Sequence, residues 1–130
     1  MRAASSVILF LLSATASASA QSFTDENVWS PPTMDCSVGP IAKTYGAQSW
    51  LVFGCADGKS VQVVSTLGSP SSPAYFMFEY GEKGYGLYGQ GMGDRDATDA
   101  AHAELGALKN ADIAALYEET RSAAAAQKSE

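Results

Sequence analysis

Two apolar runs separated by Asp57-Gly58 constrain this chain more than any other feature. Ser49-Trp50-Leu51-Val52-Phe53-Gly54-Cys55 and Ser60-Val61-Gln62-Val63-Val64-Ser65 are rich in β-branched and aromatic residues, the composition of strands. Asp-Gly between such runs is a strong hairpin signal, because glycine takes positive φ without a Cβ clash and aspartate tolerates it. A two-residue turn there sets Cys55 opposite Ser60, Phe53 opposite Gln62 and Val52 opposite Val63. One face then carries Trp50, Val52, Val61 and Val63; the other carries Leu51, Phe53, Cys55 and Val64. Both faces are apolar, so the hairpin needs cover on both sides. Helices are expected on one, and a tethered N-terminal segment on the other.

The tether is read from Cys36 and Cys55, the chain's two cysteines. The start of the chain has the pattern of an export signal: Arg2, the apolar run Val7–Leu12, then small residues ending in Ala18-Ser19-Ala20. Cleavage is expected before Gln21, with Ala16-Ser17-Ala18 as a second frame. The apolar run is far shorter than the roughly 20 residues that span a bilayer. Residues 1–20 are therefore set aside as signal peptide, with no membrane span after cleavage. The exported chain is expected to be periplasmic or secreted, an oxidising setting in which two cysteines have one pairing, Cys36–Cys55. Residues 21–46 form the tethered N-terminal segment. It is polar up to Pro31-Pro32 apart from Phe23 and Trp29, and from Met34 to Gly46 it reads as irregular, with turn signals at Gly39-Pro40 and Gly46.

Residues 47–120 read as one domain. Its second hairpin joins Ala74–Tyr80 to Tyr85–Gly91 through Gly81-Glu82-Lys83-Gly84. Centring the turn on Glu82-Lys83 pairs Tyr80 with Tyr85, Phe78 with Leu87 and Phe76 with Gly89. Phe76, Phe78, Tyr80, Tyr85 and Leu87 make the core face. Tyr75, Met77, Glu79, Tyr88 and Gln90 make a mixed, partly exposed one. From Asp94 the pattern turns helical: Asp94 or Asp96 caps, and Ala97, Ala100, Ala101, Leu105 and Leu108 form an apolar stripe. Asn110 caps a second helix with Ile113, Leu116, Tyr117 and Thr120 at helical spacing. Residues 121–130 are a polar tail that buries little. The expected fold is α+β: a small four-stranded, mainly antiparallel sheet of two hairpins, packed by two C-terminal helices and closed by one disulfide.

The chain carries fourteen acidic and eight basic side chains, net −6, which argues against nucleic acid as a partner. Gly84-Tyr85-Gly86-Leu87-Tyr88-Gly89 spells a dinucleotide fingerprint, but that site needs a strand-to-helix turn in a βαβ unit, and here the string lies inside a strand. Asp94-Arg95-Asp96-Ala97-Thr98-Asp99 echoes a calcium loop but has Asp99 where glycine is required and Leu105 where glutamate is. Two cysteines and one distant histidine do not make a zinc cage. No cofactor and no metal site are expected. His102, the only histidine, falls mid-helix with Asp99 three residues before it. Without a nucleophile signature it reads as a solvated helix residue.

Phe53-Gly54-Cys55-Ala56-Asp57-Gly58-Lys59-Ser60-Val61-Gln62-Val63 resembles the first hairpin of the periplasmic C-type lysozyme inhibitors, whose pattern is aromatic-x-Cys-x-x-Gly-(Lys)-x-x-x-Val. The resemblance is confined to that hairpin. The family is an all-β barrel with an inserted inhibitory loop, whereas this chain ends in helices, and no site residue carries over. The function expected from the residues is an exported, non-enzymatic binding domain. Its partner would be a protein or glycan of the cell envelope, and its candidate binding surface is Tyr75, Met77, Tyr88 and Gln90. An inhibitor of an envelope hydrolase such as lysozyme is the first alternative, a small exported enzyme the second.

Overall fold

The computed structural model describes residues 34–128. The expected signal peptide, the segment Gln21–Thr33 and the last two residues lie outside it. Five strands and two helices follow in chain order: β1 (Val38–Tyr45), β2 (Gln48–Gly54), β3 (Val61–Ser65), β4 (Ala74–Gly81), β5 (Gly84–Gly91), α1 (Arg95–Gly106) and α2 (Asn110–Lys128). The strands form one antiparallel sheet in the order β1-β2-β3-β4-β5. The fold is α+β, with five strands where four were expected.

The added strand is β1, in the stretch expected to be irregular. Gly39-Pro40 reads as a turn, yet proline is tolerated on an edge strand because its missing N–H is not needed there. Pairing steps from Val38↔Gly54 to Ile41↔Val52, so an irregularity absorbs Gly39-Pro40, and Gly39 takes φ 110°. Lys43 on the same strand reaches Glu119 of α2 at 3.1 Å.

The first hairpin has the expected register, with Phe53 opposite Gln62 and Val52 opposite Val63. Asp57 organises its turn. Its Oδ1 accepts from the N–H groups of Lys59 (2.9 Å) and Ser60 (2.7 Å), and its Oδ2 from the Ser60 hydroxyl (2.5 Å). Ser60 is fully buried, and its Oγ also accepts from Tyr80 N–H at 3.0 Å. One hydroxyl thus ties the β2–β3 turn to β4. Partial burial pushes the Asp57 carboxyl up, but the donors of Ser60 and Lys59 outweigh it and hold the group below its ordinary value. Its folded pKa is depressed, so its stabilisation is full at neutral pH and is lost as pH falls through that value. Ser60→Ala is expected to cost about 1–3 kcal/mol by leaving Tyr80 N–H unpaired. It should also narrow the gap between urea midpoints measured at neutral and at acid pH. An unchanged gap would mean that the backbone donors of Lys59 and residue 60, not the Ser60 hydroxyl, hold Asp57.

The second hairpin also has the expected register, with Tyr80↔Tyr85, Phe78↔Leu87 and Phe76↔Gly89. The main core lies between the sheet and the helices: Trp50, Val52, Val61, Val63, Phe76 and Phe78 pack with Ala101, Leu105 and Ile113. The opposite face holds a smaller core of Cys55, Tyr75 and Met77, covered by Met34, Cys36 and Val64. The disulfide Cys36–Cys55 (S–S 2.13 Å) and the Ala56 N–H to Asp35 carbonyl bond (2.7 Å) hold that cover in place.

Asp94 caps α1, accepting from Asp96 N–H at 2.8 Å and Ala97 N–H at 3.4 Å. Glycine at 46 lets the β1–β2 turn meet α1 backbone to backbone, since a Cβ there would lie 2.6 Å from Ala101 N. At the start of α2, Asn110 is the first helical residue rather than the cap. Asp112 reaches back to accept from Lys109 N–H at 2.9 Å. Ile113, Leu116 and Thr120 are buried, and Tyr117 donates its hydroxyl to the Cys55 carbonyl at 3.2 Å. The helix continues to Lys128 without burying a residue beyond Thr120.

Candidate functional site

Tyr75, Met77, Tyr88 and Gln90 share one face of the sheet, paired as Tyr75↔Gln90 and Met77↔Tyr88. They do not form one exposed surface. Tyr75 (6 % exposed) and Met77 (1 %) belong to the small core, Gln90 is half-buried, and Tyr88 stands out at 45 %. Burial and the neighbouring Glu79 carboxylate, which accepts the Tyr88 hydrogen bond, push its phenol up. On the other face, Tyr80 and Tyr85 meet edge to face at 5.1 Å. Lys59 Nζ sits 4.2 Å above the Tyr80 ring, and Tyr85 donates to the Lys59 carbonyl at 2.9 Å. These groups hold one another, which is the ordinary cross-strand use of tyrosine.

A groove opens instead between β5 and α1. Its floor is Phe76, packed 5.4 Å from the Trp50 ring and 5.7 Å from His102. Glycines shape its β5 side. A Cβ at Gly89 would lie 2.4 Å from Phe76 Cδ1, and one at Gly91 would lie 2.6 Å from Ala74 Cβ. Phe76 and Ala74 take the room that those Cβ atoms would fill, and a groove of about 600 Å³ lies beside them and the helix, within the usual range of ligand sites. From the other side α1 presents Arg95, Thr98, Asp99 and His102, spaced to share one helical face.

The groove's polar groups are suited to holding a molecule. Arg95 offers donors only and Asp99 acceptors only, one turn apart, and neither is in an ion pair among the described residues. Thr98 spends its hydroxyl on the Arg95 carbonyl at 3.0 Å. His102 is exposed, as expected, but rests on Phe76 rather than on Asp99. Both cysteines are bridged, so no thiol serves as a nucleophile. Among the described residues no three of His, Cys, Asp and Glu gather to hold a metal. In the sequence the site is marked by residues 95, 98, 99 and 102 at helical spacing and by glycines at 89 and 91, two apart on one face of β5. Compared with known proteins, the chain matches no family model, no characterised protein and no solved structure.

Proposed function

We propose that this chain is an exported, non-enzymatic binding domain whose groove between β5 and α1 takes a glycan of the cell envelope. The observation that carries the reading is the juxtaposition of Arg95 and Asp99, neither in an ion pair among the described residues, on one face of α1 beside a floor of Phe76, Gly89 and Gly91. A sugar presents apolar C–H faces and a rim of hydroxyls that donate and accept. Phe76 and His102 suit the first, and adjacent donor-only and acceptor-only groups suit the second. The disulfide agrees with an oxidising compartment, periplasmic or secreted. No helix among the described residues is long and apolar enough to cross a membrane.

The test is an NMR titration of labelled protein with peptidoglycan disaccharide fragments. Shifts are expected at Gly89, Gly91, Arg95, Asp99 and His102, and Asp99→Ala should weaken binding by about 1–1.5 kcal/mol, roughly tenfold. Shifts confined to other residues would refute the site, and cleavage of the fragment would refute the non-enzymatic reading. The Phe53–Val63 hairpin and the acidic charge favour a second reading, an inhibitor of an envelope hydrolase. That reading requires lysozyme to lose activity when the chain is added in equimolar amount.

A further inference from the structure

The outer edge of β5 has no strand partner among the described residues, and its composition is unusual for an edge. Exposed edges are normally blunted by lysine, proline or a bulge. β1 has Pro40, Lys43 and a register irregularity. β5, Gly84-Tyr85-Gly86-Leu87-Tyr88-Gly89-Gln90-Gly91, has no charge and no proline, and it pairs with β4 residue for residue. One of its glycines has no explanation inside a single chain. Gly84 has positive φ, and Gly89 and Gly91 lie against Phe76 and Ala74. Gly86 is exposed, with nothing within 4 Å of where a Cβ would stand and no positive φ. Glycine inside a strand weakens it unless another backbone or side chain comes close.

We propose that β5 pairs antiparallel with β5 of a second copy of this chain, about a twofold axis at Tyr88. The register follows from the backbone. Met92 N–H bonds to the Pro73 carbonyl at 2.8 Å. Because successive residues point their backbone groups to opposite sides, even-numbered residues of β5 face β4. Tyr85, Leu87, Gly89 and Gly91 therefore face outward. A twofold axis normal to the sheet pairs residues of equal parity. Centred on Tyr88, it sets Tyr85 against the partner's Gly91 and Leu87 against the partner's Gly89, so all four outward-facing residues bond on both strands. Centring it on Leu87 or Gly89 leaves some of them unbonded.

The same register fits the side chains. Each bulky residue on the helix face meets a glycine, and Gly86 meets the partner's Gln90, the neighbour it lacks in one chain. The two Tyr88 rings come together on the axis. No charge lies on the seam, so two acidic chains meet there without like charges in register. The pairing also places the partner's Tyr85 and the partner's Leu87 beside Gly91 and Gly89, on the open side of the groove. That consequence rests on the proposed binding site; the pairing itself does not.

Tyr88→Lys puts two ammonium groups on the axis at a half-exposed position that the single chain does not need for its core. Sedimentation equilibrium at micromolar concentration should give the wild type twice the monomer mass and Tyr88→Lys the monomer mass, with their melting curves compared below the association range. Opposed residues of a non-hydrogen-bonded pair lie about 4.5 Å apart, so Tyr88→Cys should cross-link across the axis under mild oxidation. Gly86→Cys should not, since its two copies are offset along the strands by more than ~10 Å. A wild type that stays monomeric, a dimer that survives Tyr88→Lys, or cross-linking that is equal at the two positions would each overturn the proposal. None of these readings depends on whether the groove binds a glycan.

Discussion

Trp50→Ala is expected to remove about 3–5 kcal/mol of stability, the range for emptying a large aromatic site. That is a large share of the roughly 5–15 kcal/mol that holds a typical domain together. Trp50 is fully buried, its Nε1 donates to the Tyr45 carbonyl at 3.0 Å, and its ring lies 5.4 Å from Phe76. Truncation leaves a void beneath β2, takes the indole donor from the Tyr45 carbonyl, and leaves the Phe76 ring free to tilt away from His102. Trp50→Phe keeps most of the volume and loses only the N–H, so it should cost clearly less. Urea unfolding followed by far-ultraviolet circular dichroism measures both. A loss below about 1 kcal/mol for the alanine variant would show that the core is not built on this ring.

Replacing Cys36 and Cys55 together by serine should cost about 3 kcal/mol, because the bridge closes a loop of sequence separation 19 and limits the unfolded chain. The consequence is also local. Cys55 Sγ lies 4.0 Å from Met77 Sδ, and Met34 and Cys36 cover Tyr75 and Met77. Without the bridge that cover loosens, and Met77 should become oxidisable by peroxide well below the unfolding midpoint. Met92, at 67 % exposure, should oxidise at the same rate in both proteins and serves as the internal standard. If Met77 stays protected in the serine variant, the cover is held by packing alone.

The hairpins were legible because their turns are short and local: Asp57-Gly58 and Glu82-Lys83 each fixed a register through residues that touch in sequence. The helices were legible from periodicity, and their boundaries from Asp94 and the spacing after Asn110. β1 was not legible, because Gly39-Pro40 carries the chemistry of a turn. Only the position of the strand at the edge of the sheet makes proline harmless there. Tyr75 and Met77 misled for a related reason. Alternation along β4 says which face a residue is on, but whether that face is wet depends on Met34 and Cys36, brought there by a bond between residues far apart in sequence. The groove lay in plain view as two patterns on different elements, glycines on β5 and polar residues on α1. Neither meant anything until the fold set them side by side.

The two margins of the sheet are unlike, and this limits how far such chains can assemble. An edge that accepts a strand on one side, with an equally receptive edge on the other, is a recipe for open-ended growth into fibres. Here the far margin is spoiled for that purpose. Pro40 lacks a donor, the step between Val38 and Ile41 breaks the rhythm of the backbone, and Lys43 leans onto Glu119 of α2. Two chains joined as proposed through β5 would then present only this spoiled margin to a third. Growth beyond the proposed pair is thus opposed by the same Gly39-Pro40 pair that hid the first strand from view.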